Sequence, residues 1–309
     1  MHAAYPFVSV WDDHEVEDNY ADGQPDSAST NPAQFENNNT YPRRVSFAQR
    51  KANGYRAFFE AMPRFHFPAS KDVIYGSLRL GNMAELFITD QRQYRDPQPC
   101  NDKILAPCPD DETPGRTMLG SRQKAWFKSA VVGSPATWKL WASEVMVMSL
   151  DTSLATAMAP GNHANPDQWD GYSAERKEIL GQFVSKHVKN LVALSGDIHT
   201  FFAGNLTTTG GNGGQPAGTE LVGGSVTSLG LPEATGIPSS TLQALRQSAD
   251  PHVKYADFDH RGYCVVSLDR NKLVGQFKSV NTTQSPTATP TTLATFQVNN
   301  GSPSLNQIS

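Results

Sequence analysis

The sequence predicts an α/β fold, and three observations carry that prediction. Stretches with apolar residues at helical spacing, such as 46–62 (SFAQRKANGYRAFFEAM), alternate along the chain with short β-branched and apolar runs. One run, 190–194 (NLVAL), is almost wholly apolar, which suits a strand buried on both faces of a parallel sheet. Finally, two runs empty into clusters of oxygen and imidazole ligands: 8–11 into Asp12-Asp13-His14-Glu15, and 190–194 into Ser195-Gly196-Asp197-Ile198-His199. Open α/β sheets gather ligands where their strands end.

The elements follow in order. After the first cluster, 21–41 is rich in Asn, Asp, Ser and Pro without a period and predicts a long surface loop. Residues 46–62 predict a helix with Phe47, Tyr55, Phe58, Phe59 and Met62 as its buried stripe and Pro63 at its end. Two strands, 73–80 and 83–89, are joined by a Gly81-Asn82 hairpin signal, and the second runs out into Asp90-Gln91-Arg92. A helix over 121–131, with Ser121 as N-cap and Trp126 and Phe127 inward, precedes a buried strand within 138–150. A Pro- and Asn-rich connection, 151–170, carries His163 and leads through Trp169-Asp170-Gly171-Tyr172 into a helix over 173–184 capped by Ser173. Beyond the second cluster, strands are expected at 201–206, 220–222, 263–268, 273–280 and 293–298, with a short helix at 241–249 and a Gly-rich loop at 210–214. The whole of 1–309 forms one domain on this basis, and the Thr- and Pro-rich stretch 282–292 connects to a last strand.

Bulk properties restrict the function. A formal charge of −4 with 26 basic residues argues against a nucleic-acid footprint. No apolar run approaches the ~20 residues that span a bilayer. The first ten residues (MHAAYPFVSV) have no basic start and no long apolar centre, unlike a signal peptide. Few Lys and many Gly, Ser, Thr and Asn are the texture of an exported protein. Cys100 and Cys108 flank a loop that a bridge would staple, and two free thiols fit the spacing equally well; Cys264, in an apolar run, is expected to be a buried thiol.

In an extended segment residues two apart point the same way, so Asp197 and His199 would aim to one side while Ile198 turns into the core. With Asp13 at the end of a neighbouring strand, three ligands converge on a metal, and His14 lies beside it, able to stabilise charge or protonate a leaving oxygen. Such a set suits hydrolysis of a phosphate ester. A solvated polar loop with an incidental His is the plainer reading of 8–19 alone. A surface-binding β-rich module is the weaker alternative, and a serine hydrolase lacks its Gly-x-Ser-x-Gly elbow.

The order and spacing of Trp11-Asp12-Asp13-His14-Glu15-Val16, Arg50 to Pro63, Asp90-Gln91-Arg92, Leu119-Gly120, Trp169-Asp170-Gly171-Tyr172, Leu194 to His199, 220–228 and Arg261-Gly262-Tyr263 resemble the PhoD-like alkaline phosphatases, a branch of the metallophosphatase superfamily. The resemblance covers nearly the whole chain. It implies a two-sheet sandwich flanked by helices (αββα) with a metal cluster between the sheets, and a secreted, periplasmic or cell-surface hydrolase of small-molecule or polymeric phosphate esters, dependent on Fe3+ and Ca2+, in which metal-bound hydroxide attacks phosphorus. It assigns Asp13, Asp197 and His199 to the metals, His14 to catalysis, and Arg50 and Arg92 to gripping phosphate, where a planar fork suits the oxygens. The family's first two metal motifs precede the segment matched by Trp11–Glu15, which here follows closely on Met1. The fold is therefore expected to be N-terminally incomplete, and the 309 residues to turn over weakly or to be a non-catalytic homologue with a partial site.

Overall fold

The structure, a computed structural model, describes residues 4–24, 46–62, 72–102, 108, 113–151, 165–211, 213–280, 285 and 287–309. Among the described residues, eleven strands form two sheets. The larger runs in the order β1-β2-β3-β4-β6-β5-β7 and the smaller in the order β11-β10-β9-β8. In the larger sheet β1 (Gly76–Leu80) and β2 (Ala84–Ile88) make the expected hairpin, with Gly81 at φ +60° in its turn, a conformation open to glycine at no steric cost. β2, β3 (Trp138–Ala142), β4 (Leu191–Ser195) and β6 (Pro216–Val222) are mutually parallel, so all four exit at one edge of the sheet. β5 (Phe201–Thr207) and β7 (Val253–Asp257) complete it antiparallel to their neighbours. The central apolar run does become a buried parallel strand, β4.

The smaller sheet is an antiparallel meander of β8 (Arg261–Leu268), β9 (Lys272–Val280), β10 (Thr291–Asn299) and β11 (Leu305–Gln307). Its inward residues, including Leu273, Phe277, Phe296 and Val298, pack on Leu140, Val192, Phe201 and Leu221 of the larger sheet. The Phe201 and Phe277 rings lie 4.9 Å apart, and a Cβ on Gly275 would come within 2.4 Å of Leu221, so the sheets are in direct contact. The other face of the larger sheet is covered by α2 (Gly120–Gly133) and α3 (Ser173–Ser185), through Phe127, Val131, Ile179, Leu180 and Phe183. The short helices α4 (Leu231–Thr235) and α5 (Ser239–Ala249) join that side. Tyr263 and Val265 are exposed on the outer face of the smaller sheet, so the described residues show the helix–sheet–sheet part of the expected stack.

α1 (Phe47–Ala61) packs separately. Ser46 caps it through a bond from the Gln49 amide, and Tyr55 and Phe58 close on Trp11, Val16, Tyr20 and Ile74. Trp11, fully buried, stacks on Tyr55 at 4.0 Å, and such a ring pair adds about 0.5–1.5 kcal/mol to the burial itself. Gly54 lets the helix sit this close: a Cβ there would meet the Glu15 carbonyl at 2.2 Å.

Several expectations need correction. Residues 8–10 belong to neither sheet, and Tyr5 and Val8 are exposed. The buried run at 145–150 is irregular, because the Val147 and Met148 amides bond the Glu220 carboxylate (2.8 and 2.6 Å) rather than a neighbouring strand. Ser121 and Ser173 are not the N-caps but lie inside their helices, the cap positions being Leu119 and Tyr172; the start of α2 is held by Glu175, which accepts from the Met118 and Leu119 amides (3.1 and 3.0 Å). Most of the 21–41 loop, His163 and part of 282–292 lie outside the described residues. Cys100 and Cys108 are bridged, and burial pushes the Cys264 thiol up to about 12.

Candidate active site

Three parallel strands deliver the site from the sheet. β2 exits through Asp90-Gln91-Arg92, β3 through Ser143-Glu144, and β4 through Gly196-Asp197. The exits are tied laterally: the Gln91 amide donates to Glu144 Oε2 (2.6 Å), the Glu144 amide to Gln91 Oε1 (3.0 Å), and the Gly196 amide to the Glu144 carbonyl (3.1 Å).

Across this edge lies the turn 12–20. Asp13 is its knot: its carbonyl accepts from the Val16 and Glu17 amides, and its carboxylate from the His14 and Asn19 amides (2.7 and 3.0 Å). Oxygens of Asp12, Asp13 and Asp197 all lie within 4.8 Å of one another. Asp13 and Asp197 are thus brought together as the sequence suggested, with Asp12 as a third member. His199 is not part of that group. The chain does not run extended through it: Asp197 (φ +65°) and His199 (φ +55°) both adopt the left-handed conformation, so the alternation argument fails here. Such strain, of order 1–3 kcal/mol per residue, clusters at functional sites. The His199 ring Nδ1 lies 2.8 Å from the Leu229 carbonyl, which can only accept. Nδ1 therefore donates to that carbonyl, which leaves Nε2 as the ring nitrogen a metal could take. His14 is largely exposed, with Nε2 3.7 Å from Asp18.

Arg92 occupies the centre of the acidic group. Fully buried, it donates from Nε to Asp12 (2.6 Å), from Nη1 to both oxygens of Asp167 (2.9 Å) and from Nη2 to Asp197 (2.7 Å). With its fork so engaged it acts as a counter-charge to these carboxylates in this geometry. Arg50, in the first turn of α1, is half-exposed and bonds Glu17 at 2.8 Å, at the rim of the turn that carries Asp13.

Two guanidiniums, Arg92 and Arg95, face four carboxylates: Asp12, Asp13, Asp167 and Asp197. Burial, the largest effect, pushes Asp197 well above the usual range, reinforced by Asp12 and only partly offset by Arg92; Asp12 is raised for the same reason. Burial also pushes against ionised Asp13 and Asp167, but Arg92 and the bonds they accept outweigh it, taking Asp167 down to about 2. Carboxylates outnumber guanidiniums here, and an all-oxygen donor set of this kind suits a hard cation. The donor set therefore fits a metal, with Asp12, Asp13 and Asp197 as the converging oxygens.

The sequence profile of the PhoD-like phosphatases matches residues 1–277. The chain belongs to the PhoD-like phosphatase family. It is 31% identical to alkaline phosphatase D of Bacillus subtilis (strain 168) over 316 aligned residues, covering all of this chain and 50% of that protein. A solved structure of PhoD superposes over 100% of the chain and 56% of its own length, with a TM-score of 0.82 and 28% identity. The chain thus spans about half the length of these relatives.

The sequence names Asp12 in the first ligand cluster without assigning it to a metal, and does not distinguish Asp167, Gln168 and Glu144. Asp12 stands beside Asp13 and could have been included. Asp167 and Gln168 lie at the end of an irregular, period-free segment, where nothing local distinguishes a site carboxylate from a solvated one.

Proposed function

We propose that this protein is a metal-dependent phosphoester hydrolase acting on small or polymeric phosphate esters as one domain. The observation that carries the reading is the convergence of Asp12, Asp13 and Asp197 at the strand exits of a PhoD-like fold. Asp12, Asp13 and Asp197 would hold the metal, and Nε2 of His199, the ring nitrogen not engaged by the Leu229 carbonyl, would be a further candidate donor. A cation there, of the Fe3+ and Ca2+ kind, would polarise the phosphoryl oxygens and acidify water. The residues supply the rest. Arg92 keeps the carboxylates assembled against their mutual repulsion. Arg50, at the rim, would grip a phosphate oxygen, and His14, exposed and next to Asp13 in the chain, would pass a proton to the leaving oxygen.

The alternative of a non-catalytic remnant is less well supported, because the carboxylate group is assembled, with Asp197 in left-handed backbone. The Cys100–Cys108 bridge supports an exported location, since disulfides persist in oxidising compartments. The test is hydrolysis of p-nitrophenyl phosphate and bis-p-nitrophenyl phosphate with and without Ca2+ and Fe3+. Turnover that requires added metal supports the proposal, and none under any metal condition rejects it.

A further inference from the structure

We infer that Asp167 is a positioning residue for the proposed metal site, holding Asp13 and Asp197 in register although it lies outside the converging group. The inference rests on the functional reading above.

Its carboxylate, almost completely buried, is the point where two relays meet. In the first, both Asp167 oxygens accept from Arg92 Nη1 (2.9 Å), and the same guanidinium donates to Asp197 Oδ1 (2.7 Å) and Asp12 Oδ1 (2.6 Å). In the second, Asp167 Oδ1 accepts from Arg95 Nη2 (2.7 Å) and Gln98 Nε2 (2.8 Å), and both of these donors also bond the Asn19 carbonyl (2.9 and 2.6 Å). The Asn19 amide in turn donates to Asp13 Oδ2 (3.0 Å). One carboxylate therefore fixes the strand exit that carries Asp197 and the turn that carries Asp13, which come from segments far apart in the chain. The next residue reinforces the first relay. Gln168 donates from Nε2 to Asp197 Oδ2 while its Oε1 accepts from the Met146 amide (2.7 Å), so both Asp197 oxygens are aimed by the 167–168 pair. Groups of this kind, which orient ligands without touching the metal, typically change metal affinity or activity about 10–100-fold when altered.

The test uses Asp167→Glu, which keeps the charge between the two arginines but moves the oxygens by a methylene, and Gln98→Leu, which cuts only the relay to Asn19. Mn2+ alone is the probe, titrated by calorimetry, alongside kcat and KM for p-nitrophenyl phosphate and the thermal midpoint. The expected result is a Mn2+ Kd raised about tenfold or more in D167E, and raised in the same direction but less in Q98L, with kcat falling more than KM rises. If D167E does not fold, the Q98L titration decides alone. Mn2+ affinity and kcat unchanged in the folded variants, with only the thermal midpoint lowered, would make Asp167 a purely structural residue and overturn the inference. No Mn2+ binding by the unsubstituted protein would overturn it together with the functional reading, whereas normal binding with unaffected variants overturns this inference alone.

Discussion

Arg92 Nη2 lies 2.7 Å from Asp197 Oδ1, with the guanidinium wholly enclosed and its remaining donors on Asp12 and Asp167. Removing one partner from a buried ionic group leaves uncompensated charge, at a typical cost of about 3–5 kcal/mol. Arg92→Met should lower the unfolding free energy by about that amount in urea denaturation, and Arg92→Lys, which keeps the charge but loses the fork, by less. Unaltered stability combined with a raised KM would mean that Arg92 serves the substrate instead.

Glu220 gives a pH dependence with a definite sign. Burial pushes its carboxyl up to about 7, despite the bonds it accepts from Ser195 and the Val147 and Met148 amides. The folded state holds this proton more tightly than the unfolded chain, so the contribution is fully present below the usual glutamate range and is lost as pH rises through about 7. Unfolding free energy should fall between pH 5 and 8, with about 2–3 kcal/mol of that fall coming from this group. Asp12, Asp197 and Glu144 are displaced in the same direction, so the readout is the difference in slope between the unsubstituted protein and Glu220→Gln. Equal slopes would contradict the assignment.

The bridge between Cys100 and Cys108, eight residues apart, closes the loop containing Asp102, whose Oδ2 accepts from Asn19 Nδ2 at 2.6 Å. Loop-closure entropy for so short a ring corresponds to about 2–3 kcal/mol. Cys100→Ser with Cys108→Ser should lower stability by about that much, and dithiothreitol should lower the melting temperature of the unsubstituted protein but not of the double variant.

Gly54→Ala tests the close seat of α1 on the turn that carries Asp13. The added Cβ would lie 2.2 Å from the Glu15 carbonyl, and overpacking of this kind typically costs about 1–3 kcal/mol. Both the melting temperature and the hydrolytic rate should fall, because the turn must move. A melting temperature equal to that of the unsubstituted protein would show that the helix does not seat there.

Much of this was legible because it depends on local pattern. The hairpin at Gly81, the buried β4 and the stripe of α1 follow from periodicity and turn chemistry, and Asp13 and Asp197 from their place at the ends of apolar runs. What was not legible depends on long-range partners. The 145–150 run looks like a strand but gives its amides to Glu220, far along the chain. β7 (Val253–Asp257) is too short and mixed to signal itself without β5 beside it. Arg92 has the composition of a phosphate ligand, and only the arrival of Asp12, Asp167 and Asp197 from three other segments makes it a counter-charge. Asp197 and His199 were identified as ligands on an extended-strand argument, whereas both adopt left-handed backbone; that conformation comes from the packed strand exit, and their spacing carries no sign of it.

The most direct test of the central claim compares the unsubstituted protein with Asp197→Asn in the hydrolysis of p-nitrophenyl phosphate and bis-p-nitrophenyl phosphate, in metal-free buffer and with Ca2+ and Fe3+ restored. The account predicts turnover that appears only with metal, is abolished by a chelator, and falls about 100-fold or more in D197N, roughly the upper end for disturbance of a metal's surroundings. Turnover that survives chelation, or that D197N leaves unchanged, would contradict it.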